Sequence, residues 1–479
     1  MFLNQIRIVP FLAFLLFITL SSCNTKKEKV SENSNDVWSK MSEVINSVEE
    51  PVFSNKIFNV LDFGAVSDGK TDNTEAFNKA IKKCTESGGG KVLVPKGEYF
   101  TGPIHLDNNV NLHLEKDAEI LFSANTKDYY PLVPTSYEGV ELMNYSPLIY
   151  ANNKKNVAVT GKGILNGQAS NENWWPWCGK ESYGWKKGDP MQKDSLNLPR
   201  LMEMGDNGTP LNKRIFGDEH FLRPNFIEFY ECENVLLQGV KIINAPFWVI
   251  HPFKSNNIII DGVTVESHGP NNDGCDPEYS KNVIIKNCTF NTGDDCIAIK
   301  AGRDGDGRRV AIKTENVVVQ NCKMIDGHGG VVIGSEMSAG VRNVFVEDCI
   351  MDSPNLDRAI RIKTNSRRGG TVDGVYVRNV RVGQVKEAVL KINMHYATYT
   401  NQTGNFIPKI KNILLENITV KDGGHYGILA NGYKESPIEN ITFKNVKIDK
   451  VDEAFSLENV SNLVLIDTYI NGSLMQSPN

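Results

Sequence analysis

Short segments of alternating apolar and polar residues recur along most of this chain, and each opens on an asparagine. Their sequences are close to the form Asn-Val/Ile-x-Val/Ile, and they begin at Asn234, Asn257, Asn282, Asn316, Asn343, Asn412, Asn440 and Asn462. The three shortest steps span 22 to 25 residues, whereas Asn316 follows Asn282 by 34 residues, where a loop must be inserted. A period in the twenties, with β-branched strands and polar turns, is typical of a β-solenoid.

The repeats also indicate how many domains the chain forms. Residues 56–479 would be long for one globular core, but a solenoid grows in one dimension by adding coils. Asparagine adopts left-handed conformations readily and therefore suits the turns of such coils. Leucine-rich repeats are excluded, because leucine does not dominate the segments and no regular helices separate them. We predict an all-β chain that forms a single parallel β-helix over residues 56–479.

One short helix is predicted at the N-terminal end of this solenoid. Asp72-x-x-Glu75 has the spacing of a capping box, and an amphipathic run follows at residues 76–81. A solenoid needs a cap over the core that its first coil would otherwise expose. We therefore expect an N-terminal capping helix at this place.

The first residues are predicted to be a targeting segment. Arg7 precedes an apolar run over residues 8–20, which is short for a membrane span of about 20 residues. The run ends in Leu20-Ser21-Ser22-Cys23, which resembles a bacterial lipobox, with an ordinary signal peptide as the alternative. We expect residues 1–22 to be a lipoprotein signal peptide. Residues 23–55 are polar and poor in aromatics, as in a flexible tether.

This reading predicts an exported outer-membrane lipoprotein. A lipid on Cys23 would be its one attachment to the membrane, and the sequence leaves open whether it faces the cell surface or the periplasm. The formal charge of −5 argues against a nucleic-acid partner, because such binders are normally basic. Oligomeric state is left open as well.

A polyanionic substrate would have to be held by a local basic patch, since the whole chain is acidic. Candidates for such a patch are close in sequence: Lys300, Arg303, Arg308, Arg309, Arg367 and Arg368. Between them, Asp304-Gly305-Asp306-Gly307 lacks the later acidic ligands of a calcium loop, and we interpret it as a turn.

Nine cysteines are present, and lipidation of Cys23 would leave eight. Cys232, Cys288, Cys322 and Cys349 each follow an acidic or amide residue at similar points of successive repeats. Stacked buried thiols explain this better than a disulfide framework, which is typical of small secreted domains. None has the CxxC spacing of a zinc site, and a disulfide is the alternative.

The longest interruption of the repeats covers roughly residues 171–223. It carries four tryptophans among many glycine and proline residues: Trp174, Trp175, Trp177 and Trp185. Long loops without regular structure usually carry function. The tryptophans either form a wall on which sugars stack or bury their rings to hold the loop in place.

Four polar segments lie on successive coils of the predicted solenoid: Asn271-Asn272-Asp273-Gly274, Gly293-Asp294-Asp295-Cys296, Gly327-His328-Gly329-Gly330 and Arg361-Ile362-Lys363. Stacking at about 5 Å per layer would bring these distant residues into one patch. Hydrolysis of a glycosidic bond needs one carboxylic acid at the leaving oxygen and a carboxylate at the attacking side. Crowded carboxylates also raise one another's pKa, which keeps an acid protonated near neutrality. The segments therefore predict a glycosidase site.

The local geometry of these segments restricts how they can cooperate. Adjacent residues on a strand point to opposite faces, so Asp294 and Asp295 can share a cleft only if the chain bends, which Gly293 permits. Arg361 and Lys363 lie two residues apart and should project to one face. Two further candidates for substrate contact lie nearby in sequence, His251 and His268.

Taken in order, the four segments resemble the signature of glycoside hydrolase family 28, the polygalacturonases. The likeness runs from Asp62-Phe63-Gly64-Ala65 to beyond Lys363, and one departure is Asn272, where the family often has threonine. The resemblance implies a right-handed parallel β-helix that hydrolyses α-1,4-galacturonide bonds in pectin with inversion. It implies a pectic polysaccharide as partner, and no metal or other cofactor.

The resemblance also implies a role for each matching residue. Asp294 would be the general acid, and Asp273 and Asp295 would hold and deprotonate the attacking water. His328 would support protonation of the acid or orient the site. Arg361 and Lys363 would bind the carboxylate of a galacturonic acid unit, and Lys300 and Arg303 of the basic patch are further candidates for substrate binding. Four stretches look like the exo-acting bacterial branch, which releases galacturonic acid from a chain end: 271–274, 300–304, 334–338 and 363–370.

Other functions are compatible with parts of this pattern. The same hydrolase family could act on rhamnogalacturonan or another uronide-containing glycan. A calcium-dependent polysaccharide lyase could use the same solenoid, although the paired aspartates beside His328 argue against it. A non-catalytic β-helix that binds glycans would need neither the carboxylate cluster nor the adjoining cations.

Overall fold

The computed structural model describes residues 33–397 and 403–477. Four α-helices lie within them: α1 (Asn33–Ser47), α2 (Thr74–Glu86), α3 (Leu198–Asp206) and α4 (Asp304–Val310). Five 3₁₀ turns accompany them: Val60–Phe63, Thr126–Tyr129, Trp175–Cys178, Glu181–Tyr183 and Leu211–Lys213.

The N-terminal half of the chain contributes the first sixteen strands. They are β1 (Ile57–Asn59), β2 (Asp68–Asp72), β3 (Gly90–Val94), β4 (Gly97–Thr101), β5 (Ile104–His105), β6 (Val110–Leu114), β7 (Ala118–Phe122), β8 (Val133–Tyr137), β9 (Val140–Asn144), β10 (Ile149–Asn152), β11 (Lys155–Gly161), β12 (Ile164–Asn166), β13 (Ile227–Tyr230), β14 (Glu233–Gln238), β15 (Lys241–Ile243) and β16 (Ile250–Phe253).

Twenty further strands complete the described part of the chain. They are β17 (Asn256–Asp261), β18 (Thr264–Ser267), β19 (Lys281–Lys286), β20 (Thr289–Thr292), β21 (Ile297–Ile299), β22 (Thr314–Gln320), β23 (Lys323–Asp326), β24 (Val331–Gly334), β25 (Val341–Glu347), β26 (Ile350–Met351), β27 (Arg358–Lys363), β28 (Thr371–Arg378), β29 (Arg381–Gln384), β30 (Ala388–Asn393), β31 (Lys409–Asp422), β32 (Tyr426–Asn431), β33 (Ile438–Ile448), β34 (Glu453–Glu458), β35 (Val460–Ile470) and β36 (Ser473–Leu474).

Successive strands of one coil belong to three different faces, and equivalent strands of neighbouring coils pair in parallel. On the first face β14, β17, β19, β22, β25 and β28 pair in that order, and on the second face β15, β18, β20, β23, β26 and β29 do the same. On the third face, bridges from Ile250 to Cys275 and from Cys275 to Ile297 connect β16 with β21, and β24, β27, β30, β32 and β34 follow. The prediction of an all-β chain forming a single right-handed parallel β-helix is confirmed.

The asparagine pattern has the predicted cause. All eight repeat asparagines, from Asn234 to Asn462, have φ between 54° and 62°. Their amides stack from coil to coil, as where Asn316 Nδ2 donates to Asn282 Oδ1 at 3.0 Å. Asn343 Nδ2 donates to Asn316 Oδ1 at 3.0 Å in the same way. Each asparagine thus permits a left-handed turn that most residues avoid, and it satisfies the exposed polar edge of the stack.

The predicted capping helix is α2, which packs over the first coil. Its own residues Phe77, Ile81 and Cys84 are buried in the core of the solenoid. Its start differs in detail from a capping box, because the helix begins at Thr74 and Asp72 Oδ1 accepts a bond from the Thr74 backbone N–H at 2.9 Å. Asp72 therefore stabilises the start of α2 by accepting a hydrogen bond from Thr74, and not through the predicted reciprocal pairing with Glu75.

The N-terminal segment departs from the flexible tether predicted for residues 23–55. Residues 33–47 form α1, whose Trp38, Met41 and Val44 are buried against Val318 and Phe345 on the outer side of the first face. The Trp38 Nε1–H also donates to a carboxylate of Glu416 at 3.0 Å. Apolar residues three apart form an apolar stripe along a helix even when the segment is mostly polar. The prediction considered only the overall composition of the segment and therefore missed this stripe.

The outward side of the first face explains why α1 binds there. Strand pairing aligns one apolar outward residue from each coil in a continuous ladder: Ala158, Leu236, Ile259, Ile284, Val318 and Phe345. Val48 and Phe53 cover the N-terminal part of this ladder. The predicted signal peptide and Cys23 lie outside the described residues. Among the described helices, none combines the length and apolar character required to cross a membrane.

The eight cysteines in the described part of the chain are all buried and unpaired. Cys288 and Cys322 donate to backbone carbonyls of their own and neighbouring coils. Cys232, Cys288, Cys322 and Cys349 are therefore buried thiols of successive coils as predicted, and none of the eight described cysteines forms a disulfide.

Candidate active site

A cavity of about 490 Å³ opens on the third face of the solenoid. Predicted site residues that line it are Asp273, Asp294, Lys300, Arg303, His328, Arg361 and Lys363. Asp295 lies directly beneath the surface, with none of its side chain exposed. Lining residues that the sequence did not single out include Glu138, Lys180, Trp248 and Tyr396.

Strand register brings these residues together. Lys300 continues β21 and lies opposite Glu278, while Gly334 of β24 pairs with Lys363 of β27. Lys300 and Lys363 therefore belong to one column that runs across the coils, although 63 residues separate them in sequence. Arg361 projects on the same side of β27 as Lys363, as its spacing of two predicted.

The two adjacent aspartates share the cavity because they are not on a strand. Asp294 and Asp295 lie in the turn between β20 and β21, so the alternation of a strand does not apply to them. Gly293 lies so close to the preceding coil that a Cβ there would be 2.6 Å from the carbonyl oxygen of Gly269. Carboxylate oxygens of both aspartates and a ring nitrogen of His328 all lie within 4.8 Å of one another.

Asp294 forms an ion pair with His328 at the open side of the cluster. His328 Nδ1 lies 2.9 Å from Asp294 Oδ1. Burial by itself would raise the pKa of Asp294, but the hydrogen bond and charge of His328 hold that pKa well below its usual value. The same interaction raises the pKa of His328 to about 9. Near neutral pH Asp294 is therefore an ionised carboxylate held by an imidazolium.

Asp273 has the opposite electrostatic character. Its burial and the neighbouring charge of Asp294 raise its pKa to about 7, although Lys300 works against this. The Lys300 ammonium is 3.4 Å from Asp273 Oδ2 and 3.9 Å from Asp276 Oδ1. Burial also raises the pKa of Asp276, a completely buried carboxyl behind Asp273 that the sequence analysis missed. The proton of the cluster thus resides on the inner carboxyls.

Asp295 is fixed by the two cations of β27. Lys363 Nζ donates to Asp295 Oδ2 at 2.7 Å, and an Arg361 guanidinium nitrogen is 3.6 Å from Asp295 Oδ1. A buried carboxylate requires such partners, because an unpaired charge in this environment would be strongly destabilising. Arg361 and Lys363 each keep a surface on the cavity, where both contact the face of Tyr396 at 5.6 Å.

Neither predicted histidine contact lies in the cavity. His251 is completely buried between Glu228 and Glu278, whose carboxylates are 3.5 and 3.1 Å from its ring nitrogens. Burial alone would lower the pKa of His251, but these two glutamates raise it to about 9. His268 is half exposed on the second face and pairs with Asn291 and Asp326. Closeness in sequence therefore misled the prediction, since His251 is on the third face but enclosed beneath the β8–β9 hairpin, and His268 follows β18 on the second face.

The buried His251 cluster supports one wall of the cavity. Two hydroxyl groups of the β8–β9 hairpin donate hydrogen bonds to its glutamates. Thr135 donates to Glu228 at 2.6 Å, and Ser136 donates to Glu278 at 3.2 Å. At the tip of this hairpin, Glu138 pairs with Arg303 at 2.7 Å. Arg303 therefore lines the cavity, but the carboxylate of Glu138 in this wall already neutralises part of its charge.

The remaining basic residues of the predicted patch have a structural role. Asp304–Gly307 is the first turn of α4 and not an isolated turn. Asp304 pairs with Arg367 and Arg368 at 2.9 and 2.6 Å. Of the residues predicted beyond Lys300 and Arg303, Arg368 lines the cavity, whereas Arg308, Arg309 and Arg367 do not.

The long loop is held in place by its tryptophans. Trp174 is buried and contacts the rings of Tyr129, Tyr145 and Trp177. Trp175 Nε1 donates to the carbonyl oxygen of Ala245 at 2.9 Å. None of the four predicted loop tryptophans lines the cavity, so their packing role is the one the described residues support.

Comparison with known proteins agrees with this geometry. Residues 216–466 match the model of glycosyl hydrolases family 28, and residues 57–119 match that of rhamnogalacturonase A/epimerase, pectate lyase-like proteins. A hyperthermoactive exopolygalacturonase from Thermotoga maritima superposes with a TM-score of 0.88 at 42% identity, covering 92% of this chain and 97% of that one.

Two curated relatives extend the comparison. An exo-poly-alpha-D-galacturonosidase of Dickeya chrysanthemi is 26% identical over 83% of this chain and 68% of its own length. A protein of Vitis vinifera described as a probable polygalacturonase is 30% identical over 69% of this chain, and the match spans 61% of that relative's length. With the cavity and its carboxylates placed on the solenoid, these matches establish that the chain is a glycoside hydrolase and belongs to glycosyl hydrolases family 28.

Proposed function

We propose that this enzyme hydrolyses α-1,4-galacturonide bonds of pectic polysaccharide and releases galacturonic acid from a chain end. The observation that carries the proposal is the cavity itself, where three carboxylates and His328 are surrounded by lysine and arginine side chains. A substrate with one carboxylate on every sugar unit matches such a lining. The exopolygalacturonase from Thermotoga maritima, at 42% identity, supports the exo mode.

The chemical roles follow from which carboxyl holds the proton. The raised pKa of Asp273 favours its protonated form, whereas the lowered pKa of Asp294 favours its ionised form. An incoming galacturonate adds negative charge and disfavours further ionised carboxylates, so it raises the proton affinity of Asp294. We assign Asp294 as the acid that protonates the leaving oxygen: it receives the proton that Asp273 holds when the substrate binds, and His328 orients it through the 2.9 Å contact. Asp273, once its proton has passed to Asp294, and Asp295 bind the attacking water and take up its proton.

Binding of the sugar carboxylate is assigned to the cations on the third face. Lys363 and Arg361 hold Asp295 from one side and present their remaining donors to the cavity. Lys300 lies below Asp273 and within 3.4 Å of Glu336. Arg361 and Lys363 therefore have two functions, since they pair with the buried Asp295 and they attract the anionic substrate.

Inversion of configuration belongs to this proposal. Carboxyl groups that flank a bound water are generally about 6.5–9.5 Å apart in inverting enzymes, and about 5–5.5 Å apart in retaining ones. Oxygens of Asp294 and Asp295 lie within 4.8 Å of one another, so inversion rests on the family resemblance and not on the separation of these two carboxylates. Proton NMR of the first product decides the matter: the β-anomer is expected, and initial α-anomer would overturn inversion.

The first experiment is the product profile from polygalacturonic acid in the presence of EDTA, with the Asp294→Asn variant as control. Saturated galacturonic acid from the outset is expected, and the control should form none. Saturated oligomers of mixed length at early times would still indicate a hydrolase but would refute the exo mode. An unsaturated product that disappears with EDTA would identify the calcium-dependent lyase instead. Parallel digestion of rhamnogalacturonan tests the other substrate of the family.

We also propose that the enzyme is exported and lipid-anchored through Cys23. The lipobox-like sequence Leu20-Ser21-Ser22-Cys23 supports this. Membrane fractionation of the full chain and its Cys23→Ser variant is the test. The chain that retains Cys23 should sediment with outer membranes, and the Cys23→Ser variant should not. Equal sedimentation of both would refute lipid anchoring, and protease accessibility on intact cells would then identify the exposed face.

A further inference from the structure

Lys180 is distinguished from the other cations of the cavity by its lack of a carboxylate partner. The other lining cations all have an acidic neighbour within 4.0 Å: Lys300, Arg303, His328, Arg358, Arg361, Lys363 and Arg368. Among the described residues, no carboxylate lies within ion-pair distance of Lys180. Its ammonium is instead 5.9 Å from the ring of Tyr183.

The backbone at Lys180 is well fixed, unlike that of an ordinary surface lysine. Its carbonyl oxygen accepts bonds from the backbone N–H groups of Tyr183 and Trp185, at 3.0 and 3.3 Å. Gly179 precedes it with φ of 74°, and a Cβ at Gly179 would be 2.2 Å from the sulfur of Met191. The close left-handed turn that aims Lys180 toward the cavity therefore requires glycine at 179.

The loop that carries Lys180 is seated tightly beside the catalytic carboxylates. Trp175 lies so near the chain preceding Asp273 that a Cβ on Gly269 would be 2.3 Å from its indole nitrogen. Tyr183 packs on Trp175 at 6.2 Å, and its pKa is raised by burial and by the negative charge of Asp294. Lys180 thus enters the cavity from the inserted loop, whereas Arg361 and Lys363 enter it from the third face.

We propose that Lys180 recognises the carboxylate of a second galacturonate unit, next to the one held by Arg361 and Lys363. Successive units of the substrate each carry a carboxylate, so two separate cation positions fit two adjoining units. A lysine already engaged by protein acids must exchange partners to bind substrate, and Lys180 need not. This assignment rests on the proposed function and makes the inserted loop a determinant of substrate specificity.

The test compares two substrates that differ in the second unit. Digalacturonate carries two carboxylates, whereas p-nitrophenyl α-galacturonide carries one. The Lys180→Gln variant should raise KM for digalacturonate about tenfold, as expected from loss of one charge-assisted hydrogen bond, and leave hydrolysis of the nitrophenyl substrate unchanged. Lys180→Arg should restore most of the digalacturonate affinity. Lys187→Gln, an exposed lysine of the same loop, is the matched control and should behave like the unmodified enzyme.

Each outcome separates this inference from the proposed function. An unmodified enzyme that releases no galacturonate from digalacturonate would overturn the proposed function. Normal activity together with an unchanged KM in Lys180→Gln would overturn only the role of Lys180. Equal losses on both substrates would place Lys180 at the first unit and refute recognition of the second. A digalacturonate-specific rise in KM that high salt abolishes would support the proposal.

Discussion

The protonation state of Asp273 makes a quantitative prediction about activity. Its pKa moves from 3.8 to about 7, because burial and the charge of Asp294 outweigh the attraction of Lys300. At about 1.4 kcal/mol per pH unit, ionising this buried carboxyl costs about 4 kcal/mol more than ionising an exposed one. Asp273 therefore holds its proton up to about pH 7 and loses it above.

Hydrolysis needs that proton for the leaving oxygen, so kcat/KM should fall above pH 7 by about tenfold per pH unit. The substrate carboxylates stay ionised throughout this range and do not contribute to the slope. Initial rates on trigalacturonate from pH 5 to 10 measure it, with circular dichroism at each pH to confirm the fold. Lys300→Met removes a cation that lowers the pKa of Asp273, so its alkaline limb should move to higher pH.

Two results would refute this reasoning. A kcat/KM that stays level until pH 9 would assign the decline to His328, whose pKa is about 9, and not to the carboxylate cluster. An alkaline limb that moves to lower pH in Lys300→Met would show that the ammonium does not stabilise the ionised form of Asp273.

Three further predictions concern the site and its support. Asp294→Asn should lower kcat on trigalacturonate by about 10²- to 10⁴-fold without changing the circular dichroism spectrum, and a loss below tenfold would exclude it as the acid. Trp38→Ala should lower the free energy of unfolding in urea by about 3 kcal/mol through loss of buried ring contacts, whereas the exposed control Glu43→Ala should change it little. His251→Gln leaves two buried glutamates without their cation and should destabilise the chain by about 3–5 kcal/mol. Because folding raises the pKa of His251 from 6.5 to about 9, its contribution is complete below pH 6.5 and lost as pH rises through 9. The stability difference from the variant should therefore shrink over that range, and a constant difference would contradict an imidazolium at this position.

The repeat pattern carried enough information for the fold and for the centre of the site. Asparagines at regular spacing predicted the left-handed turns, and the four polar segments predicted the meeting of Asp273, Asp294, His328 and Lys363. Both predictions depend on stacking alone, because a parallel solenoid places equivalent positions of successive coils side by side whatever their loops do. The buried cysteine stack was predictable for the same reason.

Residues that act across coils or from insertions could not be found in this way. Burial of His251, the wall residue Glu138 and the position of Lys180 depend on how the β8–β9 hairpin and the long loop fold back over the third face. The docking of α1 depends on an apolar ladder that exists only after six coils have stacked. Periodicity specifies neighbours within the stack, whereas electrostatics at the cavity depends on burial and on partners that only the tertiary structure brings together.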